Sequence, residues 1–243
     1  MASQRSFASR LGKFEEGNTV LKGITGYNPS NVKIQLTSLE QKDAEVQVLN
    51  KGVATAENTL GGFQKERKLL AYTFKGGSDN NIQGNMKAIE YNLRSELSAN
   101  SPEYLKVKSI NQKIQPPSEK KTPPKEGETP KRDNSKSEKT YQSLVGYGND
   151  VGTIISNLGT KYNPQNQNIT VVNFKAQVDR LKELNGQVTT AEGDYSTAVK
   201  NREKAYNGED GISSLISTVK DHLASLEGGK KNPNYVAYTN AVK

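Results

Sequence analysis

Tyr27-Asn28-Pro29-Ser30-Asn31 returns as Tyr162-Asn163-Pro164-Gln165-Asn166, and Ser101-Pro102-Glu103-Tyr104 returns as Asn232-Pro233-Asn234-Tyr235. Proline is punctuation that a chain does not repeat by accident in matched contexts, so the two pairs mark a tandem duplication. The register extends well beyond the prolines. At an offset of 135, Leu36 matches Val171, Leu39 Phe174, Val46 Leu181, Asn50 Asn185, Val53 Val188 and Arg67 Arg202. Upstream the offset is 134, placing Phe7 on Tyr141, and downstream it is about 130, placing Ile82, Met86, Ile89 and Leu93 on Ile212, Ile216, Val219 and Leu223. A unit of about 110 residues is a duplicated domain, too long for a solenoid repeat of 20 to 50.

Within each repeat the apolar residues step by three and four. Phe7, Leu11 and Phe14 begin one such series; Leu36, Leu39, Val46, Leu49, Val53 and Ala56 a second; Ile82, Met86, Ile89 and Leu93 a third. This is helical periodicity, and no sustained two-residue alternation competes with it. A fourth, shorter helix begins at Ser101-Pro102, a cap followed by proline at the first helical position. Asn28-Pro29 separates the first helix from the second, because the residue before proline is pushed out of the helical region. The second helix, 31–72, would run about 60 Å, with Gly61-Gly62 as its natural place to bend.

The remaining five prolines fall in 115–140, QPPSEKKTPPKEGETPKRDNSKSEKT, which contains no Val, Leu, Ile or aromatic residue. Its composition is that of a polar tether. The expected organisation is all-α: a first four-helix bundle over 1–114, a Pro/Lys/Glu-rich linker over 115–140, and a second four-helix bundle over 141–243. Proteolysis within the linker is then expected to release two stable helical fragments.

The segments Thr25-Gly26-Tyr27-Asn28-Pro29-Ser30-Asn31, Ser109-Ile110-Asn111-Gln112-Lys113-Ile114-Gln115 and Tyr162-Asn163-Pro164 with Arg202, together with the basic Pro-rich linker, resemble a group of bacterial two-bundle helical proteins known only as hypothetical proteins. The resemblance spans nearly the whole chain. It implies the two-bundle architecture and carries over no activity, cofactor or functional residue.

Composition narrows the chemistry. Of 243 residues only 32% are hydrophobic, which suits two small cores better than one thick one. There is no Cys, so disulfides, thiolate metal sites and Cys nucleophiles are excluded. The single histidine, His222, flanks the seam residues Val219 and Leu223, and without a second His or a Cys zinc has no conventional ligand set. No apolar run reaches the length of a membrane helix and the start of the chain has no signal-like core, so a soluble, cytoplasmic protein is expected.

Four local patterns need weighing. Residues 79–90 match a Ca²⁺ loop at Asp79, Asn81, Gly84 and Glu90, but Ile82, Met86 and Ile89 belong to a helical seam, so a capped helix start is expected there instead of a metal site. Gly146-Tyr147-Gly148 through Gly152 superficially suggests a dinucleotide loop, yet no strand precedes it and a close-packed or flexible first helix is expected. Asn50 with Asn185 and Arg67 with Arg202 recur on the apolar seam. They are expected to fix register and to pair with a Glu or a helix C-terminal carbonyl, with an anion or partner site as the alternative. The linker cations Lys120, Lys121, Lys125, Lys131, Arg132, Lys136 and Lys139 suit a polyanion, although Glu119, Glu126, Glu128, Asp133 and Glu138 are interleaved among them.

The net charge is +8, and the first repeat carries most of the excess. The function expected from these features is that of a non-catalytic structural or scaffolding protein that uses no cofactor, metal or small-molecule substrate. Its partner is protein, including itself as a homo-oligomer or filament, and not a membrane. The alternative is a nucleic-acid or ribonucleoprotein-associated binder working through the first bundle and linker.

Overall fold

A computed structural model describes residues 4–72, 80–114 and 140–243. Asp79 and the expected linker, apart from Thr140, lie outside the described residues. Those described are mostly helical and contain no strand, as the periodicity requires. The first repeat supplies α1 (Gln4–Lys22), α2 (Leu36–Ala71), α3 (Ile82–Glu96) and α4 (Pro102–Ile114). The second supplies α5 (Tyr141–Asn157), α6 (Val171–Asn207), α7 (Ile212–Ser225) and α8 (Pro233–Ala241). Among the described residues no helix is long and apolar enough to cross a membrane.

The duplicated Tyr-Asn-Pro motif has one structural job, performed twice. Asn31 accepts a hydrogen bond from the Lys33 amide and so caps a 3-10 turn over Val32–Ile34, while the Tyr27 hydroxyl donates to the Ile34 carbonyl at 2.8 Å. In the second repeat Asn166 caps Gln167–Ile169 and Tyr162 donates to the Ile169 carbonyl at 2.7 Å. Each turn redirects the chain into a long helix, and the tyrosine satisfies a carbonyl that the turn leaves free. Helix starts elsewhere follow the expected cap chemistry. Ser101 accepts from the Tyr104 amide ahead of α4, Thr140 from Ser143 ahead of α5, and Asn232 from Asn234 ahead of α8, where Pro233 takes the first position. Helix α2 stays helical through Gly61 and Gly62.

The chain divides into two compact units, and the division does not follow the repeats. One unit is Met1–Leu60 with Ala191–Lys243; the other is Gly61–Thr190. The expected division was 1–114 and 141–243, so the boundaries fall instead inside the two long helices. In the first unit α1 packs on α7 and α8; in the second α5 packs on α3 and α4. The two cores show why. In the first unit the core holds Phe7, Leu11, Phe14, Leu21, Ile34, Leu39 and Val46 from the first repeat, together with seven buried side chains from the second, among them Tyr206, Val219, Leu223 and Tyr238. The second core likewise joins Ile82, Met86, Ile89 and Leu93 to Leu144, Val151, Ile155 and Phe174. Apolar periodicity dictates which face of a helix must be covered, and here each repeat's first helix is covered by the last two helices of the other repeat.

Candidate functional site

The polar positions that recur on the seam lie in these cores. Arg202 is 7% exposed, and its guanidinium carbon stands 4.4 Å from the centroid of the Phe7 ring. In the other unit the guanidinium carbon of Arg67 stands 4.1 Å from the centroid of Tyr141. Phe7 and Tyr141 are equivalent positions, as are Arg67 and Arg202, so one contact is built twice and each time joins unlike repeats. The expected partner was a Glu or a carbonyl. The structure gives an aromatic face, which attracts the cation through its quadrupole while the stem lies in the core, and leaves Nε of both arginines without a hydrogen-bond partner.

Around Phe7 the arrangement extends further. Its ring meets Tyr206 edge-on at 4.7 Å, and the Arg10 guanidinium lies 5.1 Å from the Tyr206 centroid. Arg10 also donates to Asn207 Oδ1 at 2.8 Å and to the Ser213 hydroxyl. Two guanidinium groups and two rings thereby tie α1 to α6 and α7. In the second unit Tyr141 meets Tyr72 at 5.6 Å, and Arg180 donates from Nε and Nη2 to one carboxylate oxygen of Glu66 at 3.0 and 2.7 Å. This last pair also crosses between repeats, and nothing in the helical periodicity pointed to it.

The recurring asparagines differ. Asn50 donates to the Tyr206 hydroxyl at 2.9 Å. The counterpart of Tyr206 in the other unit is Ala71, which has no hydroxyl to offer, and both amide atoms of Asn185 are buried without a partner.

His222 packs edge-on against Tyr27 with centroids 5.8 Å apart. Of the Ca²⁺-like stretch 79–90, Asn81 is the N-cap of α3, accepting from the Gly84 amide at 2.8 Å, and Ile82, Met86 and Ile89 are buried. Glu90 accepts a hydrogen bond from Asn111 at 2.8 Å. Gly148 and Gly152 are helical positions within α5. A Cβ at Gly148 would come within 2.7 Å of Val178, so that glycine lets α5 and α6 approach closely. The seven linker cations lie outside the described residues.

Two further groupings offer limited chemistry. Glu15 and Asp43 both approach the Gln47 amide, and burial, then the Glu15 charge, holds the Asp43 carboxyl above the usual carboxylate range. A surface cleft of about 430 Å³ lined by Val48, Lys51, Gly52, Thr55, Thr59 and Asp194 presents mainly apolar atoms. Among the described residues no group of three or more His, Asp or Glu side chains gathers as a metal site. Set against family models, curated proteins and solved structures, the chain finds no match.

Proposed function

We propose that this chain is a non-catalytic structural or scaffolding protein, made of two helical repeats folded through each other and offering helix surface to protein partners, itself included. The observation that supports it is the repeated arginine–aromatic contact. The recurring arginines, Arg67 and Arg202, which could otherwise have held an anion, lie on rings at the junction of unlike repeats. On this reading they hold helices in register, a role for which buried polar residues are well attested. Val48, 70% exposed, and Val172, 77% exposed, leave apolar surface on each of the two long helices. Membership of a two-bundle helical family is part of the same proposal and rests on the sequence motifs.

Light scattering at two protein concentrations and two salt concentrations tests this reading. Mass that rises with concentration and changes little with salt is expected, because apolar contacts are weakly screened. The nucleic-acid alternative rests on sequence alone. It would replace the scaffold reading if the protein held nucleic acid at about 150 mM salt and lost it on neutralisation of Lys120, Lys121, Lys125, Lys131, Arg132, Lys136 and Lys139, since phosphate binding of that kind releases counterions.

A further inference from the structure

Two repeats of common descent ought to pair with themselves as readily as with each other, and the packing between first and last helices shows what prevents it. Gly17 of α1 lies against α8 so closely that a Cβ at that position would meet Val242 Cγ1 at 2.6 Å and Tyr238 Cε2 at 2.9 Å. Tyr238 is fully buried, so its ring has nowhere to swing. The offset that places Phe7 on Tyr141 places Gly17 on Val151, and the offset that places Pro102 on Pro233 places Val107 on Tyr238. In the second unit Val151 of α5 and Val107 of α4 are both fully buried in one core. A glycine faces a tyrosine at one seam, and the aligned residues of the other unit are two valines, both buried in its core.

We propose that this exchange of sizes is a pairing code, read between the first helix of one repeat and the last helix of the other, that admits only the unlike repeat, whether it belongs to the same chain or to another chain of this protein. Two second repeats brought together would drive Val151 into Tyr238 at both seams. Even a bare Cβ is within 2.9 Å of that ring, and protein cores, packed as densely as organic crystals, do not absorb an overlap of this depth without displacing helices. Two first repeats would set Gly17 against Val107 at both seams and leave cavities where the ring belongs. Only the unlike combination fills both.

The hydrogen bonding pulls the other way for one combination. A pair of second repeats would give each Asn185 the Tyr206 hydroxyl that Ala71 fails to provide. That gain is two hydrogen bonds, exchanged for bonds to water in the separated repeats and therefore modest. The steric term is the larger because it is repulsive at both seams and cannot be relieved by solvent.

A cycle of variants in the full chain tests the code. Gly17→Val should lower the urea midpoint of unfolding, even though valine is the better helix former, and Tyr238→Val should lower it by opening a cavity. The combined variant Gly17→Val/Tyr238→Val/Val242→Ala recreates the valine pair and also removes the Val242 methyl that a Cβ at position 17 would meet, so it should recover most of the loss seen with Gly17→Val. A combined variant no more stable than Gly17→Val alone would overturn the proposal. The second measurement does not depend on those variants. Full chain cut at a protease site introduced within 115–139, then unfolded and refolded, should yield one-to-one pairs of unlike fragments by native mass spectrometry; like pairs in comparable amounts would equally overturn it.

Discussion

Arg202 rests on the ring of Phe7, a residue of the other repeat, and the same relationship at 4.1 Å joins Arg67 to Tyr141. Because the two contacts occupy equivalent positions, each repeat gives the other the same contact that it receives. The connection between them is covalent, but the interface is that of two partners.

Truncation of Arg202 removes a buried stem and a cation held on a ring. Arg202→Ala is expected to cost about 1–3 kcal/mol of stability, and Arg67→Ala less, since Arg67 is only half-buried. Arg202→Met keeps the stem and removes the charge together with its unpartnered Nε, so it should stay within about 1 kcal/mol of wild type. Denaturant titration of the three variants is the check. A large loss for the methionine variant would mean that the charge itself is indispensable.

The asparagines should respond oppositely to the same substitution. Asn50→Ala leaves the Tyr206 hydroxyl unpaired and is expected to destabilise by about 1 kcal/mol. Asn185→Ala removes two buried polar atoms that have no partner and improves helix propensity, so it should be neutral or stabilising. Equal losses at both positions would show that Asn185 has a partner after all.

Burial pushes the Tyr27 hydroxyl up to about 12, and Tyr162 and Tyr238 are raised further by the same cause. An unfolded tyrosine titrates near 10. With the folded pKa above the unfolded one, the contribution of these groups is complete below about pH 10 and is lost as pH climbs toward the folded value. Unfolding midpoints should therefore fall steeply above about pH 10. Tyr238→Phe should reduce that fall at no cost near neutrality, because its hydroxyl has no hydrogen-bond partner. A variant that is much weaker at neutral pH would contradict the assignment.

Much of this fold is legible before any coordinates. The Tyr27 and Tyr162 motifs, the Ser101-Pro102 cap and the three-four spacing locate all eight helices among the described residues, because caps and amphipathic faces are local properties. What is not legible is which repeat covers which face. Leu11 or Leu144 needs an apolar neighbour, and helices of either repeat satisfy that need with the same pattern, so periodicity leaves the choice open. The signal that distinguishes them is non-local: Gly17 aligned with Val151 while Tyr238 aligns with Val107, a compensation of volume that has meaning only if the unlike helices touch. Arg67 and Arg202 are legible in the sequence as seam positions, but their aromatic partners lie in the other repeat and cannot be read from spacing within either one.

The exchange of helices between repeats is tested most directly by the mass of the cut chain in native buffer. Chain cleaved at a site introduced within 115–139, and never unfolded, should run as a single particle with the mass of the intact protein, 26.6 kDa, in size-exclusion chromatography with light scattering. Each fragment contributes half of two cores, so neither can leave without exposing both. Separation into two stable helical particles of roughly half that mass, the outcome expected if each repeat were its own bundle, would contradict the exchange.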